Sequence, residues 1–156
     1  MVFERDLGFA PVIVWDALLD QDLVSGWLAD AVIDPQVGGQ YNLRWTNRVG
    51  APESLGRITA LQPLQRLHVD TTASGLLRFE LEERAGGSRG TSTLLVLTVD
   101  VEVEPVFAAR VKADWLTSLD QLDELLRGQP GDWAHWERDH HEAWVQHLAE
   151  AADSAS

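Results

Sequence analysis

Four of the five histidines, His135, His140, His141 and His147, fall near the C-terminus together with Glu137 and Glu142. Glu137 and His140 have the i, i+3 spacing of helical metal ligands, and His140 and His147 lie two helical turns apart. A metal site takes three or four converging ligands, and helical bundles draw them from several helices. No His-x-x-x-His pair occurs, so the expectation is a packing helix and no metal. Asp100, Glu102 and Glu104 alternate along one strand face, where paired carboxylates could do acid–base work. They directly precede Pro105, and are expected to face water beside the positive end of a helix. Gly86, Gly87 and Gly90 precede a strand rather than a helix, so they form no phosphate loop. No G-x-S-x-G elbow is present. The absence of cysteine excludes thiol nucleophiles, thiolate metal sites and disulfides. No cofactor is expected.

The elements that must carry these residues are legible in the hydropathy pattern. Residues 2–8 form an opening strand. Pro11 suits a helix first turn, where its missing N–H costs nothing, and Val12–Leu19 follows as a short helix. Asp20 is placed to cap a second, Gln21–Leu28. After Pro35 and Gly38-Gly39 the period becomes two. Tyr41, Leu43 and Trp45 alternate with Asn42, Arg44 and Thr46, and Ala51-Pro52 marks a turn. Further strands are Gly56–Leu61, Leu67–Asp70, Leu77–Glu82 and Leu95–Glu104, with a glycine-rich hairpin loop at Ala85–Gly90. Short turns between them imply an antiparallel meander with one dry face and one wet face. From Val106, the residues Val111, Trp115, Leu119, Leu122 and Leu126 make one stripe of a helix about 33 Å long, ended by Arg127 and Gly128. Asp132 is placed to cap a last helix striped with Trp133, Trp136, His140, Trp144 and Leu148. The division expected is a domain over 1–128, an added helix over 129–150 and a frayed tail over 151–156.

Composition narrows the function classes. The 156 residues carry 12 basic and 25 acidic side chains, a formal net charge of −13. Nucleic acids and anionic membrane surfaces need the opposite balance, so neither is expected as a partner. The hydrophobic fraction is 45%, with seven tryptophans, enough for a real core. The N-terminal run MVFERD lacks the apolar stretch of a signal peptide, and a cytoplasmic protein is expected.

The order strand, two short helices, antiparallel meander and long helix is the helix-grip arrangement, an α+β fold. The residues Val14-Trp15-Asp16-Ala17-Leu18-Leu19-Asp20, Trp27-Leu28, Val37-Gly38-Gly39, Gly56-Arg57-Ile58-Thr59-Ala60-Leu61, Pro63, Arg66-Leu67 and Trp115 with Leu119 and Leu122 occur in the order of a known family. Over residues 2–127 the chain resembles the heat-shock-protein ATPase-activator-homologue (AHSA-like) branch of the START, polyketide-cyclase or SRPBCC superfamily. The resemblance implies a curved sheet wrapped round the long helix, with an apolar cavity between them. Relatives bind lipids, hormones or polyketides there, some catalyse cyclisation or hydrolysis, and a eukaryotic branch stimulates a chaperone ATPase. Fold alone does not choose among these.

The dry faces supply the candidate ligand-binding residues: Tyr41, Leu43, Trp45, Phe79, Leu97 and Val99 from the strands, and Trp115 and Leu119 from the helix. Arg44, between two aromatics, is added as a group that could reach an acidic ligand atom. The set is nearly all apolar, which suits binding of a small hydrophobic molecule with few orienting groups. The plain alternative is that these side chains simply fill the core. Cyclase-like or hydrolytic chemistry in the same cavity, with Tyr41 and Arg44 as the polar candidates, is a second alternative. A chaperone-cofactor-like interaction module is a third. Trp133, Trp136 and Trp144 must dock on something, because three exposed indoles on one helix invite aggregation. Their own domain is the expected surface, with a two-fold homodimer contact as the alternative.

Overall fold

The computed structural model describes residues 1–45, 53–86 and 90–154. The Ala51-Pro52 turn, Thr46 and Gly87 lie outside the described residues.

The first strand, β1 (Val2–Leu7), leads into helix α1 (Pro11–Leu19), which has proline in its first turn as expected. Asp20 caps α2 (Gln21–Val24), its carboxylate accepting the N–H groups of Asp22 at 2.9 Å and Leu23 at 3.4 Å. The second helix is shorter than Gln21–Leu28, and turns carry the chain on to Leu28. A four-residue strand that the hydropathy pattern did not show, β2 (Asp30–Ile33), pairs antiparallel with β3 (Tyr41–Arg44). The meander continues through β4 (Gly56–Gln62), β5 (Arg66–Thr71), β6 (Leu76–Ala85) and β7 (Thr91–Asp100). The larger sheet has the order β1-β7-β6-β5-β4, and bridges Gln40 to Arg57 and Leu43 to Ser54 join β3 to its β4 edge. The long helix α3 (Pro105–Leu126) crosses the concave side. A 3-10 turn, Trp133–His135, capped by Asp132, leads into α4 (Trp136–Ser154).

Two expectations about the strands are corrected. A register shift between Ile58 and Ala60 puts Ala60 opposite His68 and Leu61 opposite Leu67, so Leu61 rather than Ala60 points to the core. A bulge of this kind reverses the alternation behind it. The last strand ends at Asp100 rather than Glu104, and residues 101–104 leave the sheet as an extended connection to α3. The tail expected to fray from residue 151 is helical to Ser154, with Ala151 buried at 4% exposure.

Apolar side chains from both layers fill the space between the sheet and α3. Tyr41, Leu43, Leu67, Leu77, Phe79 and Leu97 are fully buried, and Leu119 and Leu122 meet them from the helix. The first helix is fixed by two buried aromatics. The last carbonyls of a helix have no partner inside it. Here the Trp27 indole N–H donates to Ala17 O at 2.8 Å, and the Tyr41 hydroxyl donates to Leu18 O at 2.8 Å. Trp27 and Tyr41 thereby act as side-chain caps on the C-terminal end of α1, each with no solvent exposure.

Candidate functional site: a pocket at one end of the long helix

Space remains at the end of the molecule where β7 gives way to α3. A pocket of about 170 Å³ lies there, with Val111 and Trp115 of α3 on one side and Val101 and Val103 of the connection on another. Leu28 and Trp45 supply further apolar wall. The polar lining comes from Ser74, Asp114 and Ser118. Ser74 and Ala73 are placed by the turn between β5 and β6. Thr71 holds that turn, its hydroxyl donating to Gly75 O at 2.7 Å and accepting from Ser74 N at 2.9 Å. Gly75 has φ +77°, and a Cβ there would run into Asp100 O and the Val101 side chain. Only glycine lets the turn close against the strand end that carries the pocket wall.

The structure separates the sequence-derived candidates. Trp45 and Trp115 line the pocket. Tyr41, Leu43, Phe79, Leu97, Val99 and Leu119 are core residues with at most 1% exposure and are absent from its walls. Tyr41 spends its hydroxyl on Leu18 O, and burial pushes its pKa well above the ordinary phenol value. Its proton is committed to that carbonyl, so it is not an open donor. Arg44 lies outside: its guanidinium is exposed and donates to Asp30 Oδ2 at 3.1 Å. Asp30 is its cross-strand neighbour on β2, so the strand missed in the sequence is what claims this cation. The lining residues outside the candidate ligand-binding set are Leu28, Ala73, Ser74, Val101, Val103, Val111, Asp114 and Ser118.

The last helix packs on the side of α3 that faces away from the sheet, and its two indoles, together with that of Trp133 in the preceding 3-10 turn, are tied within the chain. Trp133 donates to Ser25 O at 2.7 Å, Trp136 to Gln121 Oε1 at 3.1 Å, and Trp144 to Asp114 Oδ1 at 2.8 Å. His147 Nε2 lies 2.7 Å from Asp120 Oδ2, whose other oxygen pairs with Arg5 at 2.7 Å. His140, 8% exposed, sits 3.7 Å from Glu124. Among the described residues no group of three or more His, Asp or Glu side chains is arranged to hold a metal ion. Nor is any helix among them long and apolar enough to cross a membrane.

Three solved structures place this architecture among known proteins. CalU16 from Micromonospora echinospora is 22% identical, with 94% of this chain and 86% of that one covered and a TM-score of 0.62. The BPP1335 protein from Bordetella parapertussis is 22% identical, with coverage of 99% and 83% and a TM-score of 0.68. EF2215 from Enterococcus faecalis, a conserved protein of unknown function, is 19% identical, with coverage of 97% and 84% and a TM-score of 0.68. At such identities the likeness shows the helix-grip fold. No curated protein is significantly similar in sequence. Residues 9–127 match the family described as activator of Hsp90 ATPase homolog 1-like protein, which takes in everything from the end of β1 to the end of α3 and stops short of α4. The chain therefore belongs to the activator of Hsp90 ATPase homolog 1-like family.

Proposed function

We propose that the protein binds a small hydrophobic molecule in the pocket between Val101, Val103 and the first half of α3. The observation that carries this reading is a pocket of about 170 Å³ with seven apolar side chains in its wall, beside a packed core. Pockets for drug-sized ligands run to about 300–1,000 Å³, whereas an apolar cavity of about 150 Å³ is enough for benzene. The occupant is accordingly one ring or a short branched chain. Catalysis has less support, because the two polar groups first considered for it lie elsewhere: Tyr41 under α1 and Arg44 on the outer face.

The test is ligand-linked stabilisation. A ligand at ten times its Kd adds about 1.4 kcal/mol to folding, a rise in Tm of roughly 3–6 °C for a chain of this size. Toluene, benzyl alcohol and short branched alcohols are expected to produce that rise. Val103→Trp puts an indole into the pocket from a non-helical segment, and is expected to abolish the rise with little change in the unliganded Tm. If no single-ring or short-chain compound shifts the transition, the reading fails.

A further inference from the structure

Four lining residues come from one face of α3: Val111, Asp114, Trp115 and Ser118 follow the i, i+3, i+4, i+7 spacing of a helical stripe. Two of them are polar, and their situations differ. Asp114 is engaged within the chain, where its Oδ1 accepts the Trp144 indole N–H at 2.8 Å and it takes part in a further interaction. Ser118 is only 6% exposed, and among the described residues its hydroxyl makes no hydrogen bond. A hydroxyl inside a helix has a ready acceptor in the carbonyl four residues earlier. Thr117 uses it, donating to Ala113 O at 2.8 Å, whereas Ser118 does not. The hydroxyl of Ser74, on the turn between β5 and β6, lies 3.3 Å from Ser54 Oγ and shares a hydrogen bond with it. Ser118 also borders a gap of about 10 Å³ beside Gln121 and the indoles of Trp133, Trp136 and Trp144, room for a single water at most. A buried hydroxyl in a pocket wall without a protein partner calls for one that enters the pocket.

We propose that the pocket selects an uncharged single-ring molecule carrying one hydroxyl or carbonyl oxygen, and that Ser118 is the residue that recognises this oxygen. The proposal rests on the binding function above and adds the ligand class and the specificity-determining residue. Its basis is the contrast between two occupied states. A wholly apolar ligand seals the Ser118 hydroxyl away from water with no partner, whereas a ligand of the same shape with one oxygen pairs with it. Leaving a buried polar group unpaired costs more than a typical hydrogen bond contributes, so a site built around such a group discriminates against the analogue that lacks the matching atom. An anionic ligand meets the Asp114 carboxylate in the same wall and the repulsion of a chain with net charge −13. A cationic ligand finds that carboxylate already engaged.

The test uses two probes of nearly one shape, phenol and toluene, with benzoate as the charged comparison. Affinities are read by ligand-observed NMR at neutral pH and fixed salt. Ser118→Ala is expected to lower the phenol-to-toluene affinity ratio about fivefold to tenfold, through weaker phenol binding and equal or tighter toluene binding. Toluene binding by the variant shows that its pocket is still formed. Ser74→Ala removes a hydroxyl already shared with Ser54, and is expected to leave the ratio nearly unchanged. Benzoate is expected to bind more weakly than phenol. A ratio that does not move in Ser118→Ala means that the hydroxyl serves only the gap beside α4, which overturns the proposal and leaves the pocket's function standing. A ratio that falls in Ser74→Ala and not in Ser118→Ala overturns the assignment to Ser118. Benzoate binding more tightly than phenol overturns the preference for an uncharged ligand. Failure of phenol and toluene alike to bind the parent protein removes the binding function and the proposal together.

Discussion

Replacing Phe79 by alanine is expected to cost about 3–5 kcal/mol of stability, lowering Tm by roughly 10 °C or more. Phe79 stands opposite Leu67 on β5 and Leu97 on β7 and has no solvent exposure. Its ring touches packed neighbours on every side, so truncation opens a hole that the sheet cannot close by relaxing. A residue bordering a ligand chamber behaves differently. There the loss is nearer the transfer free energy alone, about 1.5–3 kcal/mol, because empty space already adjoins the ring. Chemical denaturation of Phe79→Ala against the parent protein distinguishes the two. A shift under about 2 kcal/mol would place Phe79 at a cavity wall and contradict a filled centre.

Trp27→Ala is expected to be at least as damaging, about 3–5 kcal/mol. The indole is fully buried, and its N–H satisfies the Ala17 carbonyl at the end of α1. Removing it leaves a cavity and an unsatisfied helix-end acceptor in the same place. The damage is expected to show locally as well. Amide exchange in α1 should rise more than in β6, because α1 loses its cap while the sheet keeps its ladder. Uniform acceleration across both elements would mean that Trp27 acts through general packing alone.

The reach of sequence reasoning differed between fold and site for a physical reason. Period-two alternation in Tyr41–Trp45, Leu77–Leu81 and Leu95–Val99 identifies which side of a strand is dry, and the stripe Trp115–Leu119–Leu122 identifies which side of α3 meets it. That is enough to set the architecture. It does not tell whether the space between two dry faces is filled, because filling depends on the separation of the layers and on side-chain volumes across them. Hence Phe79, Leu97 and Leu119 carry the same sequence signal as Trp115, yet only Trp115 reaches the pocket.

The pocket's other walls come from places where alternation carries no information. Ala73 and Ser74 sit in a turn, Leu28 in the segment after α2, and Val101 and Val103 in a connection that looks like more strand. The end of β7 was invisible because Val99, Val101 and Val103 continue the apolar rhythm unbroken. Arg44 shows the same limit from another side. Its role is decided by Asp30 on β2, a strand of four residues, too short to give a readable period. The indoles of the C-terminal segment, in contrast, were legible as groups that need a dock. Trp133, Trp136 and Trp144 find theirs on Ser25, Gln121 and Asp114 of the same chain.

Xenon tests the account most directly, since it enters apolar cavities and needs no knowledge of the natural ligand. In a crystal pressurised with xenon, electron density is expected between Val101, Val111 and Trp115, where the pocket of about 170 Å³ lies. None is expected among Tyr41, Phe79 and Leu119, where the interior is packed. Xenon at the centre of the sheet–helix interface, or no xenon beside Trp115, would contradict a solid core with one open end.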